Sequence, residues 1–220
     1  VMRFFREHGL FWANALLFVV FFVGMVLTGN ATYNSDQEEH GQAGVGLVQY
    51  LGTGDFLEAT FENWESEFLQ MGSYIVLTVF LFQRGSSESK TPGEHAPQDD
   101  DPRNVKVKAD TPWPVKRGGL VLVLYENSLL ILFTLLFLAS VALHAVGGSE
   151  AYSADQVEHG EAAVTPLQYL GTSQFWFESF QNWQSEFMVV ALIVLASVYL
   201  RQRGSSQSKP VAMAHQKTDG

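Results

Sequence analysis

The sequence predicts an all-α membrane protein: four transmembrane helices as two parallel two-helix repeats, with short periplasmic helices. Three observations carry this. Apolar residues gather in long runs while charges sit between them, although the chain overall is only 47% hydrophobic and carries a net charge of −10. All thirteen Lys and Arg fall outside the runs, in 3–6, 84–117 and 201–217. The two halves also repeat at a constant offset of 119 residues, and 29 of 60 positions are identical between 31–90 and 150–209. Such internal periodicity marks a duplicated unit.

Repeat 1 covers residues 1–90. Its first span, about 10–27, holds Asn14 as its one strongly polar residue, and about 20 apolar residues cross a hydrocarbon core of ~30 Å. Arg3 and Arg6 precede it like a signal leader, but no A-x-A site follows and the element recurs internally, so a retained helix is expected. In the periplasmic loop 28–65, Tyr33, Asp36, Gln37 and His40 follow i, i+3, i+4, i+7. That spacing predicts one face of a short helix ended by Gly41 in the left-handed region. Phe61, Trp64, Phe68, Met71 and Ile75 then recur every three or four residues. The second helix is expected to start near Asp55, outside the membrane, before its span at about 66–83.

Residues 91–119 read as a disordered cytoplasmic linker, since 85–119 holds five of the seven prolines and the acidic run Asp99-Asp100-Asp101. Repeat 2, 120–209, has expected spans at about 128–146 and 185–201 around a periplasmic loop at 147–184, with a helix start near Gln174. A cytoplasmic tail, 210–220, follows. The two loops carry no Lys or Arg, so the positive-inside rule puts both termini and the linker in the cytoplasm.

Composition closes several routes. With no cysteine there is no disulfide framework, thiolate zinc or iron–sulfur ligation. An acidic chain without a basic cluster predicts no nucleic-acid partner. No phosphate loop, no G-x-S-x-G and no nucleophile–base pair is present, so the sequence predicts no enzyme and no catalytic residue.

The residues shared by the halves concentrate in three motifs. They are Glu39-His40-Gly41, Asn63-Trp64-Glu65-Ser66-Glu67-Phe68 and Gln83-Arg84-Gly85-Ser86-Ser87-Glu88-Ser89-Lys90, each with a counterpart 119 residues on. In these the chain resembles an uncharacterised family of bacterial integral membrane proteins, a domain of unknown function. The resemblance implies a bacterial inner-membrane location and supplies no activity. The exits that end in Lys90 and Lys209 read as flexible basic anchors, with Arg84, Arg201 and Arg203 at anionic headgroups.

No metal or other cofactor is predicted. The nearest approaches to a ligand set are His40 with Glu67 and His159 with Glu186, one imidazole per half, against the simpler reading that these groups hydrogen-bond the loops to the helices. His144, alone in the third span and replaced by Met25 in repeat 1, is the one candidate axial ligand for a tetrapyrrole. Asn63, Trp64, Glu67 and Phe68, with Asn182, Trp183, Glu186 and Phe187, are the expected interaction residues, because aromatic and polar groups crowd one rim. The expected function is a non-enzymatic accessory or structural subunit of a larger inner-membrane complex, respiratory or photosynthetic. Its partners would be the bilayer and other membrane subunits or further copies of itself. The alternative is a small channel or transporter with acidic periplasmic vestibules.

Overall fold

A computed structural model describes residues 7–218, so the Arg3 and Arg6 leader lies outside the described residues. Within them the chain is helical, with no strand. The helices are α1 Gly9–Glu39, α2 Leu47–Tyr50, α3 Gly54–Phe80, α4 Trp113–Arg117, α5 Gly119–Glu126, α6 Ser128–Glu158, α7 Pro166–Tyr169 and α8 Ser173–Tyr199. A 3₁₀ turn, Pro97–Asp99, interrupts the linker. The bounds of α6, α7 and α8 equal those of α1, α2 and α3 plus 119, so the sequence offset is also an offset of elements.

Three helices are long and apolar enough to cross a membrane: α1, α6 and α8. The chain is a membrane protein on this ground. None of the residues of α1 is buried. Polar side chains within its apolar stretch donate to its own backbone: Asn14 to the Leu10 carbonyl at 2.8 Å and Thr28 to that of Gly24 at 2.8 Å. Back-bonding of this kind lets a helix carry polar residues where water is scarce.

The Tyr33–His40 face is not a separate short helix. It is the last turns of α1, which runs unbroken to Glu39 because nothing between Leu27 and His40 breaks it. Gly41 and Gly160 do end the two long helices, with φ of 70° and 79°. Thr53 and Thr172 start the next ones: each hydroxyl accepts from the backbone N–H three residues on, at 3.3 and 3.2 Å, the N-cap bond the first turn needs. Both helices thus begin one residue before the expected Asp55 and Gln174.

The chain divides into two compact units. One comprises Val1–Phe61 and Ala142–Phe175, the other Glu62–Val141 and Trp176–Gly220. The core of the first is aromatic: Tyr50, Phe56, Tyr169 and Phe175 are all buried. Tyr50 packs between Tyr33 (5.7 Å between ring centroids) and Phe56 (5.5 Å). Tyr169 packs the same way between Tyr152 (5.6 Å) and Phe175 (5.7 Å). Each returning loop is pinned by one side chain. Asn34 bonds both backbone groups of Val45, and Ser153 does so for Val164.

In the second unit, the two Gly-Ser-Ser-x-Ser-Lys exits are serine-bonded turns rather than loose anchors. Ser89 accepts from the Gln83 N–H and Ser208 from the Gln202 N–H, both at 2.9 Å. The hydroxyls of Ser86 and Ser197 meet at 2.8 Å. Lys209 is turned inward, 1% exposed, and donates to the carbonyls of His215 and Lys217 at 2.9 and 2.8 Å. Arg201 folds back onto the carbonyls of Ser197 and Val198, where a cation complements a helix C-terminus. Neither side chain is free to reach a headgroup.

Candidate functional site

The polar groups of the first unit converge where α3 crosses α6. The crossing needs glycine on both sides. A Cβ at Gly147 would stand 2.6 Å from the Glu58 backbone nitrogen, and one at Gly54 would stand 2.7 Å from the Gly147 carbonyl oxygen. Neither glycine recurs, for the equivalent positions are Thr28 and Ser173, so this close approach belongs to one helix pair only. One turn from each glycine lie Glu58 and His144, and the crossing brings their ligand atoms within 4.8 Å of each other.

His144 is fully buried. Its ring lies 4.8 Å from that of Phe175 and 6.3 Å, edge-on, from that of Tyr169. The packing leaves no open face on the imidazole for a macrocycle. The Tyr169 hydroxyl donates to Glu58 Oε1 at 2.9 Å. Tyr169 is fully buried and its ring lies against Gly148, where any side chain would collide with it. A buried imidazole and a buried phenol thus meet at a half-buried carboxylate, and polar groups gathered in this way are stable only when satisfied.

Glu58 also lines a cleft of about 520 Å³ on the repeat 1 side, with Asp36, Asp55, Tyr33, Tyr50 and Thr32 among its walls. Asp55 and Glu58 are three apart on α3 and share its face. Burial, and then the charge of Asp36, push the Asp55 carboxyl above its usual range, because both disfavour a second anion there. Burial and the Asp55 charge likewise push the Tyr50 hydroxyl up. The described residues of this unit include ten carboxylates and no Lys or Arg.

The residues singled out from sequence fall as follows. His40 is half exposed and held within its own unit: Nδ1 meets the Asp36 carbonyl at 2.9 Å and Nε2 meets Glu158 at 3.6 Å. His159 Nδ1 meets the Asp155 carbonyl at 2.8 Å. Glu67 and Glu186 lie in the other unit, near enough for their charges to act on each other. Among the Asn-Trp-x-Ser-Glu-Phe residues, Trp64 packs edge-on against Phe68 at 6.3 Å, and Phe68 tilts on Phe133 at 6.3 Å. Phe187 lines an apolar groove with Phe68, Phe133 and Gly72. The carbonyls of Asn63 and Asn182 accept from Ser66 and Ser185 at 2.7 and 2.8 Å.

Trp183 does more than anchor. It meets the rings of Phe137, Trp176 and Phe180, and its indole N–H donates to Glu65 Oε1 at 3.2 Å. Glu65 is fully buried and also accepts from Ser179 at 2.7 Å. Sequence reasoning missed Glu58, Asp55 and Glu65. The signal available for Glu65 was its difference from Gln184 inside two otherwise matching boxes; Glu58 and Asp55 differ from Phe177 and Gln174 in the same way.

The chain belongs to the family described as Domain of unknown function (DUF6766), which matches it over residues 1–220. No curated protein and no solved structure matches it.

Proposed function

We propose that this member of the family is a non-enzymatic accessory or structural subunit that packs against a larger bacterial inner-membrane assembly. The observation that carries the reading is α1: its most apolar stretch has no buried residue, and Phe11, Leu16, Phe18 and Phe21 are each more than half exposed. A helix apolar on every side is stable only where lipid or another protein covers it. Trp12 and Phe11 pair edge-on at 5.1 Å near its start, an aromatic foot suited to a partner helix or the interface.

In this reading α3 crosses as the fourth span, the repeats are parallel, and both termini lie in the cytoplasm with Arg84 to Arg117. The chain has no cysteine, so any single introduced cysteine reports alone. Labelling from outside should reach cysteines placed at Gln42 and Glu161 and spare those at Gln98 and Gln216. Gentle solubilisation and affinity purification test the function itself. A stoichiometric membrane partner is expected; a free monomer with no partner overturns the proposal.

A second reading, a small channel or transporter, draws on the acidic cleft. Against it, Asn14 and Thr78 each donate to a carbonyl of their own helix. Cation flux in proteoliposomes, abolished by Glu67→Gln with Glu186→Gln, would favour it over the first.

A further inference from the structure

We propose that residues 104–125, just ahead of α6, form a seat for anionic phospholipid headgroups at the end of that span. Four of the chain's thirteen cations, Lys106, Lys108, Lys116 and Arg117, lie in this stretch, and Asp110 is its one acid, in a protein of net charge −10. All four residues are exposed. None of them shares an ion pair among the described residues. The nearby acids meet partners upstream: Asp99 meets Lys90 at 2.7 Å, Asp100 meets His95 at 2.9 Å and Asp101 meets Arg103 at 3.2 Å.

The segment is held at both ends. Arg103 donates through two nitrogens to the two carboxylate oxygens of Glu126, at 3.1 and 3.0 Å. This fork joins residue 103 to a residue two before the start of α6. Inside the arch, the Lys116 ammonium donates to the Ala109 carbonyl at 2.7 Å, which brings it to the residue after Lys108. The cations are thereby gathered rather than spread along an open chain. Gathered like charges repel unless an anion lies against them.

An independent observation is apolar. Val105 and Val107 alternate with Lys106 and Lys108 and are exposed, and so is Trp113, at 65%. In α5, Leu122 is buried, while Leu120 and Leu124, one turn apart, are left outward, Leu120 at 73%. The exposed apolar surface runs on into Leu129 and Leu132 of the crossing helix α6. An indole beside Lys and Arg at the end of a span suits the membrane interface, where carbon stems lie among acyl chains and charged ends stay at headgroup level. Water would leave the apolar residues bare, and a zwitterionic surface would leave the cations unneutralised. An anionic lipid surface, continuous with the lipid around α6, answers both.

The exits do not supply this contact, since Arg201 and Lys209 are spent on carbonyls. Only the crossing of α6 is needed, whichever side the segment lies on, and no protein partner enters.

The test uses the full chain in nanodiscs, with an environment-sensitive nitrobenzoxadiazole label on Val107→Cys, the chain having no other cysteine. The label should emit bluer and more strongly in phosphatidylcholine discs that contain phosphatidylglycerol than in phosphatidylcholine alone. High salt should erase the difference. A label on Gln98→Cys, before the Arg103 fork, should not respond. Lys106→Gln, Lys108→Gln and Arg117→Gln should each lower the ratio of seated to free label about fivefold, the order of one cation's attraction to an anionic surface. The three together should abolish the shift, and Glu94→Gln should leave it unchanged. Equal emission in the two lipids overturns the proposal. So does a shift that the triple variant retains. So does a shift produced in phosphatidylcholine discs by inorganic phosphate or by a polyglutamate peptide, which would make the seat one for a soluble anion or for an acidic protein segment.

Discussion

Tyr169 and Glu58 stand 111 residues apart and share a hydrogen bond of 2.9 Å, phenol to carboxylate, that ties repeat 2 to repeat 1 inside one compact unit. The donor is fully buried, so its loss is not made good by water. Hydrogen bonds to charged groups contribute about 1.5–3 kcal/mol. Tyr169→Phe keeps the ring and its packing and should lower the melting temperature by several degrees. Tyr50→Phe should leave it nearly unchanged, since that hydroxyl packs against Gly29 and makes no hydrogen bond among the described residues. Equal melting losses in the two variants would show that ring packing, not the Glu58 bond, carries the effect.

The α3–α6 crossing should be intolerant of a single methyl group. Gly147→Ala places a Cβ 2.6 Å from both the Glu58 nitrogen and the Leu57 Cβ, backbone against backbone, with no flexible side chain to yield. Overpacking of that order costs about 1–3 kcal/mol in a core. Gly24→Ala, with nothing within 4 Å, is the control and should be neutral or slightly stabilising. The comparison is read as detergent-solubilised yield and melting temperature.

Much of the architecture was legible because the duplication is. Tyr50, Phe56, Thr53 and Gly41 recur with their partners' spacing intact, and each does the same job in both copies. The polar centre was not legible, for a physical reason. A two-fold pair could carry the same donor and acceptor in both copies, but here the bonds from one copy to the other are made once, by residues that differ between them. Glu58 faces Tyr169 while its own counterpart is Phe177; Glu65 faces Ser179 and Trp183 while its counterpart Gln184 is exposed. His144 replaces Met25 in the same manner. Recurrence finds what each copy does alone and overlooks what the pair does together. The exits misled in the opposite direction: Gly, Ser and Lys suggest mobility, but here the serine hydroxyls are spent on backbone groups and Lys209 on carbonyls.

His40 should titrate above the ordinary imidazole range, raised first by its bond to the Asp36 carbonyl and then by the charge of Glu158. A folded-state value above the unfolded one stabilises the protein fully below the unfolded value and is lost as pH rises through the folded one. The loop contact between His40 and Glu158 should therefore weaken from neutral pH upward. Both side chains are about half exposed, so the effect should fade with salt and barely move global stability. An NMR titration checks it: Glu158→Gln should lower the His40 value without restoring it fully, because the carbonyl bond remains. A His40 value unmoved by Glu158→Gln would remove the ion pair from the account.

Glu65 and Trp183 should prove more sensitive to substitution than the exposed aromatics of α1. Glu65 is fully buried with two neutral donors on one oxygen, the Ser179 hydroxyl and the Trp183 indole. Removing it in Glu65→Ala strands both, and each unsatisfied buried donor costs about 1–3 kcal/mol. Glu65→Gln keeps an acceptor oxygen in place and should recover most of that loss. Trp183→Ala removes contacts with three rings and leaves Glu65 short of a donor, a loss toward the lower end of the ~3–5 kcal/mol of a buried indole. Trp12→Ala, at a ring 44% exposed, should cost far less. The measurement is thermal unfolding in nanodiscs together with recovery of any co-purifying partner. Trp183→Ala melting like the parent would reduce the Asn-Trp-x-Ser-Glu-Phe boxes to interfacial anchors. A Glu65→Gln variant as damaged as Glu65→Ala would show that the negative charge itself, rather than the acceptor oxygen, is what the site requires.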